Sequence, residues 1–151
     1  MLGGMAFEHI LVATDFSEHS ERALDVCRKL AVEGGSKVSL VHVYPETFYA
    51  AYPVPAAPVA PSKQQLAEMK QAIEESLERL RGERLEGVSF AHVGLISHDS
   101  PAQAVCEYAG EHGVDLIIVG SHGRTGLAKF LMGSVAEQIA RHAGCSVLLA
   151  R

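Results

Sequence analysis

The chain has 151 residues, 48% hydrophobic and 21% charged, which suits one domain able to bury its own core. A formal charge of −5 with scattered Lys and Arg argues against a nucleic-acid footprint, and no apolar run approaches the ~18 residues needed to span a bilayer. Cys27, Cys106 and Cys145 form no CxxC pair and no metal-ligand spacing, and the N-terminus lacks a basic region followed by an apolar run, so a reduced, cytoplasmic setting is expected.

In chain order, His9 to Thr14 is a compact apolar run ending at Asp15 and reads as a buried strand. Ser17 opens a helix with Glu18 and Glu21 in its first turn, and Ala23, Leu24, Cys27, Leu30 and Ala31 recur at helical spacing until Gly34-Gly35. Lys37 to Val43 is the second strand. Residues 44–62 then hold five of the six prolines, which precludes a regular helix or central strand and marks a Pro/Ala-rich excursion within one domain spanning 1–151. A long helix starts at Lys63, its face marked by Leu66, Met69, Ile73, Leu77 and Leu80. Val88 to Val93 reads as the third strand, and Ser100 caps a helix with Pro101 at its first position. Asp115 to Val119 is the clearest strand. A helix from Ser134 to about His142 and a last strand, Ser146 to Ala150, close the chain. Apolar strands separated by helices predict an α/β fold, a parallel sheet covered on both faces by right-handed crossovers.

The chemistry-bearing segment is the loop Gly120-Ser-His-Gly123-Arg124-Thr-Gly126, running on through Lys129 to Gly133-Ser134. It leaves a buried strand and ends at a helix N-terminus, the end of an open parallel sheet where ligands bind. Glycines let the backbone approach a phosphate, and a helix N-terminus offers unpaired N–H groups to an anion. Ser134 can cap that helix or donate its hydroxyl to a phosphate oxygen. The alternative is that the glycines only shape a long connection. Neither GxxxxGK[ST] nor GxGxxG occurs, so neither a P-loop nor a dinucleotide site is supported.

The spacing Gly120-x2-Gly123-x9-Gly133-Ser134 resembles the ATP-binding branch of the universal stress protein family. The similarity runs nearly end to end, through Val12 to Leu24, Asp115 to Arg124 and Gly133 to Ile139. It implies a Rossmann-like five-stranded sheet of order 3-2-1-4-5, with Asp15 and Gly120 bordering one crevice. It also implies that Asp15 lies by the sugar and adenine and that the Val43 backbone edges the adenine. Gly120, Gly123, Gly133, Ser134 and Val135 then fall around the sugar and phosphates. Arg124 and Lys129 add positive charge near the same place, and Mg²⁺ would arrive bridging the ATP phosphates, as such ions usually do. Two simpler roles stay open: Asp15 as a cap of the first helix, and Val43 as plain core. The resemblance further implies a homodimer through the last strand. Two positions depart from the family pattern, Ala13 and Ser146, where prolines are usual. The Pro/Ala-rich segment with Phe48, Tyr49 and Tyr52 is not explained by it and is a lid, a partner-binding stretch or a mobile excursion.

Eight histidines include no HxxxH or HExxH pair. His42 and His92 sit in strands, where hydrogen-bonded structural roles are common, whereas His122 lies inside the glycine loop, as a phosphate contact, a proton donor or a plain loop residue. Catalytic residues are not identified; Asp15 and Arg124 are the only contributors to hydrolysis that can be named. A serine hydrolase lacks its GxSxG elbow. A receiver domain needs an Asp ending the third strand, which here reads as ending at Val93-Gly94. The expected function is an ATP-loaded stress or signalling module with at most slow hydrolysis, acting on an unknown protein partner. The competitors are a genuine ATPase or phosphotransferase and a nucleotide-independent interaction module.

Overall fold

Side chains alternate across each inner strand, and both sides are apolar. The computed structural model describes residues 6–45, 62–122 and 132–151. In chain order the elements are β1 (His9–Ala13), α1 (Glu18–Gly34), β2 (Lys37–Tyr44), α2 (Lys63–Arg84), β3 (Ser89–Ser97), α3 (Pro101–Glu111), β4 (Leu116–Gly120), α4 (Ser134–His142) and β5 (Ser146–Ala150). The five strands are parallel, as the alternating pattern predicts, and lie in the order β3-β2-β1-β4-β5 that the family resemblance implies.

Ile10 and Val12 of β1, Val38 and Leu40 of β2, and Leu116 and Ile118 of β4 face one side. There they pack with Ala23, Leu24, Cys27 and Ala31 of α1 and Leu77 of α2. Leu11, Val41, Ile117 and Val119 face the other way, against Ala102, Val105 and Ala109 of α3 and Ala136 and Ile139 of α4. A sheet with both faces covered is the physical reason its strands read as continuous apolar runs. Cys27 is fully buried, and loss of water around it pushes its thiol up to about 12, the state of an inert core residue.

The helix signals act as expected at two starts. Ser17 accepts from Ser20 N and Ser100 from Gln103 N, with Pro101 in the first turn of α3. Gly35 closes α1 in the left-handed region at φ 71°. At the start of α2, Ser62 and Gln65 form a reciprocal capping box that the sequence reading did not single out. Of the apolar stripe on α2, Leu77 is buried and Leu80 packs against the core, whereas Met69 is 37% exposed.

The largest boundary difference is in β3. β3 continues past Val93-Gly94 to Ser97, paired with β2 as far as Tyr44. Gly94 looked like a terminator, but it sits beside the His92 ring, where a Cβ would come within 2.9 Å of Nε2. The register also slips at Val38/Ser39, leaving Ala91 as an extra residue, a bulge that an edge strand tolerates. Residues 46–61, with Phe48, Tyr49 and Tyr52, lie outside the described residues, as do Gly123, Arg124 and Lys129. Among the described residues no helix is long and apolar enough to cross a membrane.

Candidate functional site

β1 is flanked by β2 on one side and β4 on the other, and the chain leaves these neighbours in opposite directions. A parallel sheet must open a crevice at such a reversal, beyond the carboxyl ends of its strands. A cleft of about 290 Å³ lies there, close to the lower limit of ordinary small-ligand sites at roughly 300 Å³. Ala13, Thr14 and Asp15 line it from β1, His42 and Val43 from β2, Val119 and Gly120 from β4, and Gly133 to Ala136 from the start of α4. Pro101, Val105 and Ile139 add apolar wall from α3 and α4.

The wall at β1 is held by a short hydrogen-bond chain. Thr14 N donates to Val41 O at 3.0 Å, extending the β1–β2 ladder by one residue. Thr14 Oγ1 accepts from Phe16 N and meets Ser20 Oγ, both at 3.0 Å, and Ser20 Oγ donates to Ser17 O. Asp15 Oδ1 accepts from Ser17 N at 2.9 Å, so the carboxylate braces the turn into α1 while Ser17 is the helix cap. His42 Nδ1 donates to Thr14 O at 2.8 Å, and its ring stands 4.8 Å from that of Phe16. Phe16 holds φ 63°, a left-handed conformation costly for a bulky residue.

Gly120 has a tighter constraint than backbone approach to a ligand. A Cβ at this position would lie 2.7 Å from His19 O in the first turn of α1, so the missing side chain lets that helix seat on the end of β4. The residues that follow are pinned. Ser121 N donates to Ala150 O of β5 and Ser121 O accepts from Gly133 N, each at 2.8 Å. Ser121 Oγ meets His122 Nδ1 at 2.9 Å.

Ser134 is not the cap of α4. Gly133 holds that position and contributes no side-chain hydrogen bond, and Ser134 is the first helical residue, leaving its hydroxyl outside the capping role. Gly133 has no side chain to cap the first amides, so among the described residues they remain available as donors for an anion. The φ of Gly133 is −62°, which any residue adopts; its backbone does not demand glycine.

Six of the eight positions singled out in the sequence, Asp15, Val43, Gly120, Gly133, Ser134 and Val135, line this one cleft. Gly123 and Arg124 lie outside the described residues. The sequence reading missed Thr14, Ser20 and His42 as lining residues. His42 had a legible cue, an imidazole near the carboxyl end of a strand beside β1; Thr14 and Ser20 had none beyond their position around Asp15. Among the described lining residues Asp15 is the one carboxylate and none is Lys or Arg. No group of three or more His, Cys, Asp or Glu able to hold a metal occurs among the described residues.

The arrangement defines an open, doubly wound α/β protein with a ligand cleft at its strand-order reversal. The universal stress protein family model matches residues 6–151. Universal stress protein YxiE of Bacillus subtilis is 30% identical over 149 residues, which cover 96% of this chain and 99% of its own. The solved structure of MJ0577, a universal stress protein of Methanocaldococcus jannaschii, superposes with a TM-score of 0.77 at 26% identity, covering 96% of both chains. A universal stress protein solved in complex with cAMP gives 0.64 at 24% identity, with 97% of this chain and 98% of the other covered. The Archaeoglobus fulgidus protein in complex with dAMP gives 0.62 at 21%, with 97% and 100% covered; these two share the fold. The chain belongs to the universal stress protein family.

Proposed function

We propose that this chain is a nucleotide-binding universal stress protein that holds ATP in the cleft and acts through its loaded state, with at most slow hydrolysis. The observation that carries the reading is that the α4 N-terminus, capped by a glycine without a side-chain bond, opens into the same cleft as Asp15 and Val43. Its amides receive phosphate oxygens, with the Ser134 hydroxyl as a further donor. Asp15, fixed by Ser17 N, accepts from the sugar hydroxyls.

Val43 supplies the base edge by strand alternation. Val41 O takes the bond from Thr14 N, so two residues on the Val43 N–H and C=O face the same side, beyond the end of β1. Adenine presents both an acceptor and an amino donor to such a pair. Two proteins of the same fold were solved with the adenine nucleotides cAMP and dAMP, so the architecture accommodates that ligand class. Gly123 belongs to the phosphate end by family resemblance, and Arg124 beside it adds positive charge there.

The residues present fit a Mg²⁺ that arrives with its own phosphate ligands, because Asp15 is the one carboxylate the described lining offers. Such an ion, once bound, would neutralise phosphate charge and keep phosphate and water oxygens as its ligands.

Calorimetric titration of stripped protein with ATP and Mg²⁺, against GTP and AMP, tests the reading. ATP-selective binding is expected, reduced at least tenfold in Gly133→Val, whose φ suits any residue. Equal binding of ATP by wild type and Gly133→Val removes the phosphate site from α4.

A further inference from the structure

Two side-chain nitrogens are buried without a hydrogen-bond partner among the described residues, His19 Nδ1 and His122 Nε2, and they sit on neighbouring rings. The ring centroids are 5.1 Å apart and the planes are inclined by 43°. Buried polar atoms are nearly always paired, so two orphans on adjacent imidazoles call for a common explanation. From the geometry we infer that His19 and His122 form a two-histidine site for a borderline transition-metal ion, with Zn²⁺ as the type, beside the nucleotide cleft.

The dimensions agree. Two imidazoles on a tetrahedral Zn²⁺, each nitrogen at about 2.0–2.1 Å, hold their ring centroids roughly 5 Å apart. Imidazole nitrogen suits Zn²⁺, Co²⁺ or Ni²⁺ and does not suit Mg²⁺, which takes oxygen ligands. The supporting backbone is held at several points. Gly120 seats the His19 carbonyl on β4, and Ser121 is tied by its backbone to β5 and to the start of α4. Ser121 Oγ engages His122 Nδ1, which orients the ring and leaves Nε2 as the coordinating atom. No third His, Cys, Asp or Glu joins the pair among the described residues, so the remaining positions belong to water or to an anionic ligand. His122 itself lines the cleft, which places an oxygen of a bound phosphate within the class of such ligands.

The site is independent of the ATP reading and is tested without nucleotide. Metal-stripped protein is titrated with Co²⁺ by absorbance and with Zn²⁺ by calorimetry, with Mg²⁺ as control. One Co²⁺ per chain with tetrahedral ligand-field bands is expected, displaced by Zn²⁺ and not by Mg²⁺. Affinity should fall at least tenfold in His19→Gln and in His122→Gln, and stay unchanged in His142→Gln, whose ring bonds its own helix at Gln138 O. Should a cleft variant fail to fold, ring ¹⁵N spectra of the wild type decide. Zn²⁺ must then shift Nδ1 of His19 and Nε2 of His122 selectively. Absence of stoichiometric binding, binding that survives in both variants, or shifts confined to other histidines would each overturn the site.

Discussion

Gly120 and His9 sit in surroundings that sharply limit what can replace them. The Cβ of Gly120→Ala would meet a backbone carbonyl, His19 O, at 2.7 Å, and a backbone atom cannot swing aside as a side chain can. We expect a loss of about 1–3 kcal/mol by urea unfolding, the usual cost of overpacking, together with weakened ligand binding because the cleft wall shifts. The glycine itself was legible as part of a loop motif. Its reason was not, because His19 is about a hundred residues away in the chain. His9 presents a different constraint. It is buried, with Nε2 on Ser39 Oγ at 2.8 Å, and Nδ1 within 3.2 Å of His112 O. Burial lowers its pKa from 6.5, reinforced by Lys37 and His112 and opposed by the His112 carbonyl bond and the Asp115 carboxylate. The unfolded chain therefore binds more protons than the folded one below about pH 6.5, so this contribution to stability is present above that value and is lost as pH falls through it. Between about pH 8 and pH 5, the urea midpoint of the wild type should fall more steeply than that of His9→Asn. Parallel curves would show that His9 does not titrate on unfolding.

Among elements, α4 has most at stake for its size. It is a short helix without a side-chain cap, and it holds to the sheet through Ala136 and Ile139, which pack with Leu11, Ile117 and Val105. Ile139→Ala should cost about 2–5 kcal/mol in thermal or urea unfolding, as for other buried aliphatic truncations. It should also weaken nucleotide binding, because the same helix presents the phosphate-facing amides. A variant that loses stability and binds ATP as tightly as wild type would separate the helix from the site. Most elements were legible because a covered parallel sheet forces apolar runs on its strands and a 3.6-residue period on its helices. β3 was misjudged at its far end because an edge strand carries weaker apolar signal. Phe90 to Ser97 is mostly half-buried or exposed, and a glycine in mid-strand mimics a turn. For Ser134 the residue type suggested a cap, but chain geometry placed Gly133 there instead.

At the scale of the whole molecule, β3 and β5 are the edge strands of the sheet among the described residues. β5 is short, and Val147, Leu148 and Leu149 are half-buried within it. An unpaired apolar edge is a liability unless another chain covers it. We therefore expect light scattering to return a molar mass twice the 16.2 kDa of the chain, and a strict monomer at micromolar concentration would remove the dimer reading. The alternation of strands and helices gave a covered parallel sheet, while the strand order and the crevice shared by Asp15 and Gly120 were readable only through the family resemblance. The cleft's polar detail was less accessible. Thr14, Ser20 and His42 meet through contacts between residues up to 28 positions apart, and no local pattern announces them.

Phe16 carries an evolutionary consequence. Its left-handed backbone costs a non-glycine residue roughly 1–2 kcal/mol, and its ring lies against His42 in the cleft wall. A library randomised at this codon and screened only for heat resistance weighs that backbone cost against the packing of the ring on the core, which Phe16→Gly and Phe16→Asn would forfeit. The same library screened for ligand retention should return Phe. The two pools would show how much robustness the lineage has exchanged for an ordered cleft mouth.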